Sequence, residues 1–489
     1  MSQEPVVALR DVTFTYRGAA QPALRDVSLT LRRGEFVVVM GATGAGKTTL
    51  AKCLNRTVPQ FQPGELRGSI EIDGAAIDER TVSDLAGTVG LVSQDFEAQL
   101  FSTNVRHEVA FGMEQLGVAP ADMLRRLDES LRLVGLKGFT TRDPITLSGG
   151  EKQRLAIAAM LALQPAVLVL DEPTTDLDPL GKEEIFAVLG TLRARGATVL
   201  LIEHETSATV HADRVVLMAG GAIVADGPPA TVLRDVQRLT SLGVRPLDLD
   251  RIAAAFDWAD RPGSVDDAAA RLTLRPPAPA RAPTMNDSPA DAPLLAVEHL
   301  SFDYPGGRSA LADVSLSIGR GEFVALIGQN GSGKTTLAKC LNGLLHPGRG
   351  SVRLRGAYLA GMPLQRVARD VGYVFQNPDQ QIFAASVGDE VGFALVNFGV
   401  PEAERQARVA AALTAVGFEG GVDVDPFLLG KGERQRLAVA ALLVLEPAVL
   451  ILDEPTTGLD YREQRCMMAL LAELHRRGLT LVVITHSPW

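Results

Sequence analysis

A chain of 489 residues with 46% hydrophobic and 22% charged residues has ordinary globular composition, room for roughly two to four domains, and no general disorder. A net charge of −10, a pI near 5.4 and the lack of any long Lys/Arg block weigh against a nucleic-acid partner. Three sparse cysteines, Cys53, Cys340 and Cys466, exclude a disulfide framework, and the two in matching LAKCLN segments read as small buried helix residues.

The N-terminal MSQEPVVALRDVTF is acidic and polar and lacks the basic start and apolar run of a signal peptide. EFVVVMG reads as a buried strand that enters a glycine loop, and TTLAKCLN as the helix after it. LAIAAMLALQPAVLVL is broken by Pro165, and the later LAVAALLVLEPAVLIL by Glu446 and Pro447. A membrane span needs about 20 continuous apolar residues, so each run reads as a helix, a turn at the proline and a buried strand. The expectation is a soluble, cytoplasmic chain. TVLLIEH is a further strand, followed by strands RVVLMAGG and AIVADG and then helical segments. Short Val/Leu/Ile runs alternating with helices indicate an α/β fold with a largely parallel sheet.

The chain is a duplication. DVSLTLRRGEFVVVMGATGAGKTTLAKCLN at 26–55 recurs as DVSLSIGRGEFVALIGQNGSGKTTLAKCLN at 313–342, with Lys47 matched by Lys334 at an offset of 287. Gln94 and Gln376, Glu172 and Glu454, and His204 and His486 match at an offset of 282. Residues 275–293, RPPAPARAPTMNDSPADAP, have the composition of a semi-rigid linker. The expected domains are therefore 1–274, a linker at 275–293, and 294–489. The second lacks a counterpart of the segment that follows His204, by natural absence or by truncation.

The motifs carry phosphate chemistry. Gly41-Ala42-Thr43-Gly44-Ala45-Gly46-Lys47-Thr48 and Gly328-Gln329-Asn330-Gly331-Ser332-Gly333-Lys334-Thr335 both follow an apolar strand and open a helix, the context of a P-loop. Glycines let backbone N–H groups wrap phosphate oxygens, and the helix N-terminus favours the anion. Lys47 and Lys334 are expected on the β/γ-phosphates, and Thr48 and Thr335 on Mg²⁺. Asp171-Glu172 and Asp453-Glu454 end apolar strands as paired carboxylates. The first acid of each pair suits Mg²⁺ and the second a general base for water. Ser148-Gly149-Gly150-Glu151 opens a helical run with a good N-cap residue, a second anion-binding device.

With two such devices per half, the chain resembles the ABC ATPase family over nearly its whole length. The resemblance implies two P-loop domains, each a mostly parallel core sheet with an antiparallel β subdomain and a helical subdomain. It implies ATP and Mg²⁺ as cofactors, with Thr49 and Thr336 completing the ATP-binding loops. Tyr16 and Tyr304 match the aromatic that stacks on adenine. Gln94 and Gln376 match the lid glutamine that contacts Mg²⁺ and water. Asp178 and Asp460 match the loop beyond the carboxylates, and His204 and His486 the switch histidine. In that family the two halves pair, and each signature loop caps ATP on the other half's P-loop.

The second signature, Gly430-Lys431-Gly432-Glu433, departs from this pattern. The serine hydroxyl is lost at Gly430, and Lys431 adds bulk and backbone restriction where close phosphate approach is expected. Losing one aligned donor costs about 10²–10³ in rate. The expectation is that the site containing Glu172 turns over poorly and the site containing Glu454 carries hydrolysis.

After the lid glutamines, Gln94-Asp-Phe-Glu-Ala-Gln-Leu-Phe and Gln376-Asn-Pro-Asp-Gln-Gln-Ile-Phe resemble the ATPases of energy-coupling factor (ECF) transporters, importers of vitamins and metal ions. The resemblance implies a chain peripheral to the cytoplasmic face of the membrane. Its partners would be a membrane-embedded transmembrane subunit and a separate substrate-binding membrane subunit. Phe101, Phe111, Phe383 and Phe393 are candidate apolar anchors, or simple packing residues, and Glu108 and Glu390 candidate partners for arginines of inserted helices. Alternatives are the tandem ATPase of a sugar importer, whose lid lacks these elements, and a ribosome-bound ABC translation factor, which expects a long charged linker. A small-molecule kinase does not need the two signature loops.

Overall fold

The computed structural model describes residues 5–272 and 292–486. The expected linker at 275–293 falls outside them except for its last two residues. The chain divides into two compact units, residues 1–272 with 460–462, and residues 273–459 with 463–489.

In the first unit the strands run β1 (Pro5–Tyr16), β2 (Leu24–Arg32), β3 (Phe36–Met40), β4 (Gly64–Ile72), β5 (Ala75–Ala76), β6 (Val89–Val92), β7 (Val167–Asp171), β8 (Val199–Ile202), β9 (Arg214–Ala219) and β10 (Ala222–Gly227). The core sheet has the order β10-β9-β3-β8-β7-β6, parallel except for β10. FVVVM, VLVLD and VLLI are buried at every position, as strands covered on both faces must be. Their side chains alternate between two cores. Val37 and Val39 face the antiparallel sheet β2-β1-β4-β5 and the helix Lys47–Leu54. Phe36, Val38 and Met40 face the helices Val105–Gln115, Pro120–Leu133 and Gly149–Ala162. The period of two along a strand makes this division possible.

The second unit repeats the plan with β11 (Leu295–Tyr304), β12 (Arg308–Ile318), β13 (Phe323–Ile327), β14 (Arg349–Leu354), β15 (Ala357–Tyr358), β16 (Val371–Val374), β17 (Val449–Asp453) and β18 (Thr480–Thr485). Its parallel sheet is β13-β18-β17-β16 and its antiparallel sheet β12-β11-β14-β15. The α/β architecture expected from the sequence is thus present twice. The halves differ at one edge. β3 lies between β8 and β9, whereas β13 is an edge strand among the described residues, with Phe323 37% and Ile327 73% exposed. Both proline-bearing apolar runs are a helix, a turn and a strand, as read from the sequence. No helix among the described residues is long and apolar enough to cross a membrane.

Candidate functional site

Parallel strands deliver their loops to one edge of the sheet. β3 runs into the glycine loop, β7 ends at Asp171, β8 leads to His204, and β6 leads to Gln94. Gly46, at the start of the helix, has φ 99°, and a Cβ there would sit 2.5 Å from the Ala23 carbonyl oxygen. Gly333 repeats this, 2.5 Å from that of Ala310. Lys47 Nζ donates to the carbonyls of Gly41 and Ala42, each at 2.9 Å, and lies 4.0 Å from Glu172 Oε1. Burial pushes its pKa down, opposed by Glu172 and Asp171. Lys334 Nζ donates to Gly328 at 2.8 Å and Gln329 at 2.9 Å.

Two motif residues from separate loops converge on the Glu172 carboxylate. Gln94 Nε2 donates to Oε2 at 2.8 Å, and His204 Nε2 lies 2.7 Å from Oε1. In the second unit His486 Nδ1 lies 2.8 Å from Glu454 Oε2, and the Thr457 hydroxyl donates to that oxygen at 3.0 Å. Burial raises the Glu454 pKa, but His486, Thr457 and Lys334 outweigh it and the net shift is downward. Gln376 is exposed, whereas Gln94 reaches Glu172.

The acids before these glutamates have metal-binding character. The Thr48 hydroxyl draws the Asp171 pKa down, and Tyr373 and Thr335 do the same for Asp453, each against a larger upward shift from burial. Burial, reinforced by Glu172, pushes Asp171 up to about 6. Burial also raises Asp453. In each acid Oδ1 is buried without a hydrogen-bond partner. A hydroxyl and a carboxylate with a spare oxygen suit a hard cation that also binds phosphate oxygens. Among the described residues no group of three or more His, Cys, Asp or Glu is placed to hold a metal alone.

Two residues of the site were missed from sequence. The Tyr373 hydroxyl donates to Asp453 Oδ2 at 2.7 Å, where the first half has Leu91. The wholly buried Glu203 accepts from the Thr174 hydroxyl at 2.7 Å and the Thr174 N–H at 3.1 Å, and from the His204 N–H at 3.1 Å. It ties the loop beyond Glu172 to the switch histidine, and burial pushes it up to about 7. A Glu next to a motif histidine was the available signal; its counterpart is Thr485.

The tyrosines lie beside the P-loop helices. Tyr16 Oη is 3.1 Å from Thr49 Oγ1, and Tyr304 Oη 3.1 Å from Thr336 Oγ1. Asp178 caps the helix Pro179–Ala194 by accepting from the Gly181 N–H at 2.8 Å. Asp460 is buried just ahead of the helix Tyr461–Arg476. Ser148 Oγ accepts from the Glu151 N–H at 3.3 Å, and Glu151 accepts from the Ser148 N–H at 2.8 Å, a reciprocal cap. At the second loop Glu433 accepts from the Gly430 N–H at 2.9 Å, but glycine has no side-chain oxygen to accept in return. Gly430 has φ −64°, open to any residue, so the hydroxyl is lost for no backbone reason. Lys431 opens the regular helix Lys431–Leu443. The expected backbone restriction is therefore absent, since the helix begins regularly at Lys431.

The lid segments are built alike. The Gln99 side chain accepts from the Ser93 N–H at 3.0 Å, and that of Gln381 from the Phe375 N–H at 3.2 Å. Glu108, 5% exposed, accepts from the N–H groups of Phe101 at 3.1 Å and Ser102 at 2.8 Å. Glu390 does the same for Phe383 at 2.9 Å and Ala384 at 2.8 Å. This corrects the expectation that these acids await arginines of inserted helices: they are buried and hold the lid backbone. The phenylalanines they position are exposed. Phe101 meets Phe111, and Phe383 meets Phe393, each pair edge-to-face at 4.7 Å.

A model of the family described as "ABC transporter" matches residues 24–175 and again 311–457. A protein of Caldanaerobacter subterraneus subsp. tengcongensis, named "Putative ABC transporter ATP-binding protein", is 43% identical over 502 residues, covering 99% of this chain and 87% of its own. A protein of the same description from Methanosarcina acetivorans is 40% identical over 506 residues, covering 99% and 82%. Among solved structures, CbiO1 from Clostridium perfringens, described as part of the ABC transporter complex CbiONQ, is 28% identical with a TM-score of 0.45. It covers 52% of this chain and 100% of that one.

Proposed function

We propose that this chain, which belongs to the ABC transporter family and is an ATP-binding, ATP-hydrolysing subunit of a membrane transporter, drives an importer of the ECF type for a vitamin, a vitamin precursor or a metal ion. The observation that carries the reading is the pair of exposed aromatic corners, Phe101 with Phe111 and Phe383 with Phe393, presented at matching places by buried Glu108 and Glu390. Exposed, rigidly held aromatic pairs favour an apolar protein partner, and helices of a transmembrane subunit supply that chemistry. A separate membrane subunit would select the solute. Substituting serine at both Phe101 and Phe383 tests this. The chain should leave the membrane fraction while the purified ATPase stays active; unchanged membrane retention would count against the reading.

In the proposed mechanism Lys47 and Lys334 turn from the loop carbonyls to the β/γ-phosphates, which the P-loop N–H groups cradle. Thr48, Asp171 and Gln94, with Thr335, Asp453 and Gln376, would hold Mg²⁺, which supplies charge neutralisation between phosphate oxygens. Glu172 and Glu454 accept the proton of the attacking water, and His204 and His486 orient those carboxylates. On the pairing that the family resemblance implies, the Glu172 centre depends on the loop with Gly430 and Lys431 and is the weaker of the two.

A further inference from the structure

At the end of the second unit's core sheet remote from the P-loop lies a cavity of about 540 Å³, bordered by the residues that lead into β13, β17 and β18. Leu443, Leu474 and Leu479 give it apolar walls. Its charged lining is four guanidinium groups, Arg320, Arg355, Arg408 and Arg477, against one carboxylate, Glu446. A strand of five residues, roughly 16 Å at the usual rise, separates this end from the glycine loop.

The duplicate half shows what has changed. Arg33, Arg126 and Arg195 stand where Arg320, Arg408 and Arg477 do, but Asp73 replaces Arg355 and Glu129 replaces Ala411. In the first unit those acids are used: Asp73 pairs with Arg33, and Glu129 with Arg195 at 3.2 Å. The second half keeps the three basic positions, drops both acids, adds a fourth arginine and gains one acid, Glu446 in place of Gln164. Other carboxylates pair with the arginines from outside the lining. Asp370 lies 3.2 Å from Arg355, Glu404 2.8 Å from Arg408, and Glu473 2.7 Å from Arg477. Such exposed pairs are worth about 0–1 kcal/mol and yield readily to a stronger anion. Arg320 has no ion-pair partner among the described residues.

We propose that this cavity binds a small anionic ligand, an apolar body carrying a phosphate or a pair of carboxylates, at a site separate from the hydrolysed nucleotide. The volume suits a small organic molecule, and forked guanidinium donors suit phosphate and carboxylate oxygens. The same chemistry is offered by a free metabolite and by an acidic phospholipid headgroup.

The test uses the full chain with saturating ADP to occupy the P-loops. One probe is phenyl phosphate followed by calorimetry, and the other is phosphatidic acid in phosphatidylcholine vesicles followed by co-sedimentation. Arg355→Asp combined with Ala411→Glu restores the first half's residues, and Arg320→Ala removes one charge alone. Either change should weaken binding about tenfold or more, the loss of at least one charge-assisted contact, with ATP hydrolysis unchanged. Variant-sensitive binding of phenyl phosphate identifies a free ligand, and variant-sensitive binding of vesicles alone identifies a headgroup. Binding of neither probe, or binding indifferent to both variants, overturns the proposal.

Discussion

The Glu108→Gln variant probes how the lid segment is held. One oxygen of Glu108 accepts from the N–H groups of Phe101 at 3.1 Å and Ser102 at 2.8 Å. Hydrogen bonds to a charged acceptor are worth about 1.5–3 kcal/mol each, neutral ones about 0.5–1.5. Glutamine keeps an oxygen there but loses the charge, so the two bonds together weaken by about 2–3 kcal/mol. That corresponds to roughly 30–150-fold more frequent opening of the lid. Hydrogen exchange by mass spectrometry reads this directly, as faster exchange in peptides covering Phe101 and Ser102. The equivalent peptide at Phe383 and Ala384, still held by Glu390, serves as the internal control. Unchanged exchange at Phe101 and Ser102, or an equal rise at both lids, would refute the assignment.

Glu203 should make the first unit pH-sensitive. Burial raises its folded pKa to about 7 from an ordinary carboxylate value near 4.5, so the folded state holds the proton more tightly. Stability from this group is full below about pH 4.5 and falls as pH rises towards 7. Glu203→Gln, which still accepts from Thr174, should flatten the decline in thermal midpoint between pH 5 and pH 8; an undiminished slope would exclude Glu203 as its source. For the two centres, Glu454→Gln should remove most ATP hydrolysis and Glu172→Gln much less, measured as phosphate release, and equal losses would end the asymmetry. Gly430→Ser with Lys431→Gly should strengthen the weaker centre and raise turnover up to roughly twofold, the limit for adding a second equal site. Turnover that stays flat or falls would count against it.

The duplication, the α/β class, the P-loops and the Asp-Glu strand ends were legible because each rests on local chain chemistry: continuous apolar strands, glycines forced by close backbone approach, and caps three residues apart. What escaped depends on contacts between distant segments. Glu108 and Glu390 look like surface acids on amphipathic helices, and only the fold shows that each carboxylate reaches back six or seven residues to the lid backbone. Tyr373 is one aromatic in a buried strand until β16 and β17 lie side by side and bring it to Asp453. Lys431 read as a backbone constraint because its neighbours are glycines, whereas the helix starts there without needing one.

The most direct measurement is affinity purification of the tagged chain from solubilised membranes with identification of what co-purifies. The account predicts a transmembrane subunit together with a separate small substrate-binding membrane subunit, both lost when Phe101 and Phe383 are changed to serine. Recovery of ribosomes, or of sugar-importer membrane subunits, would contradict it.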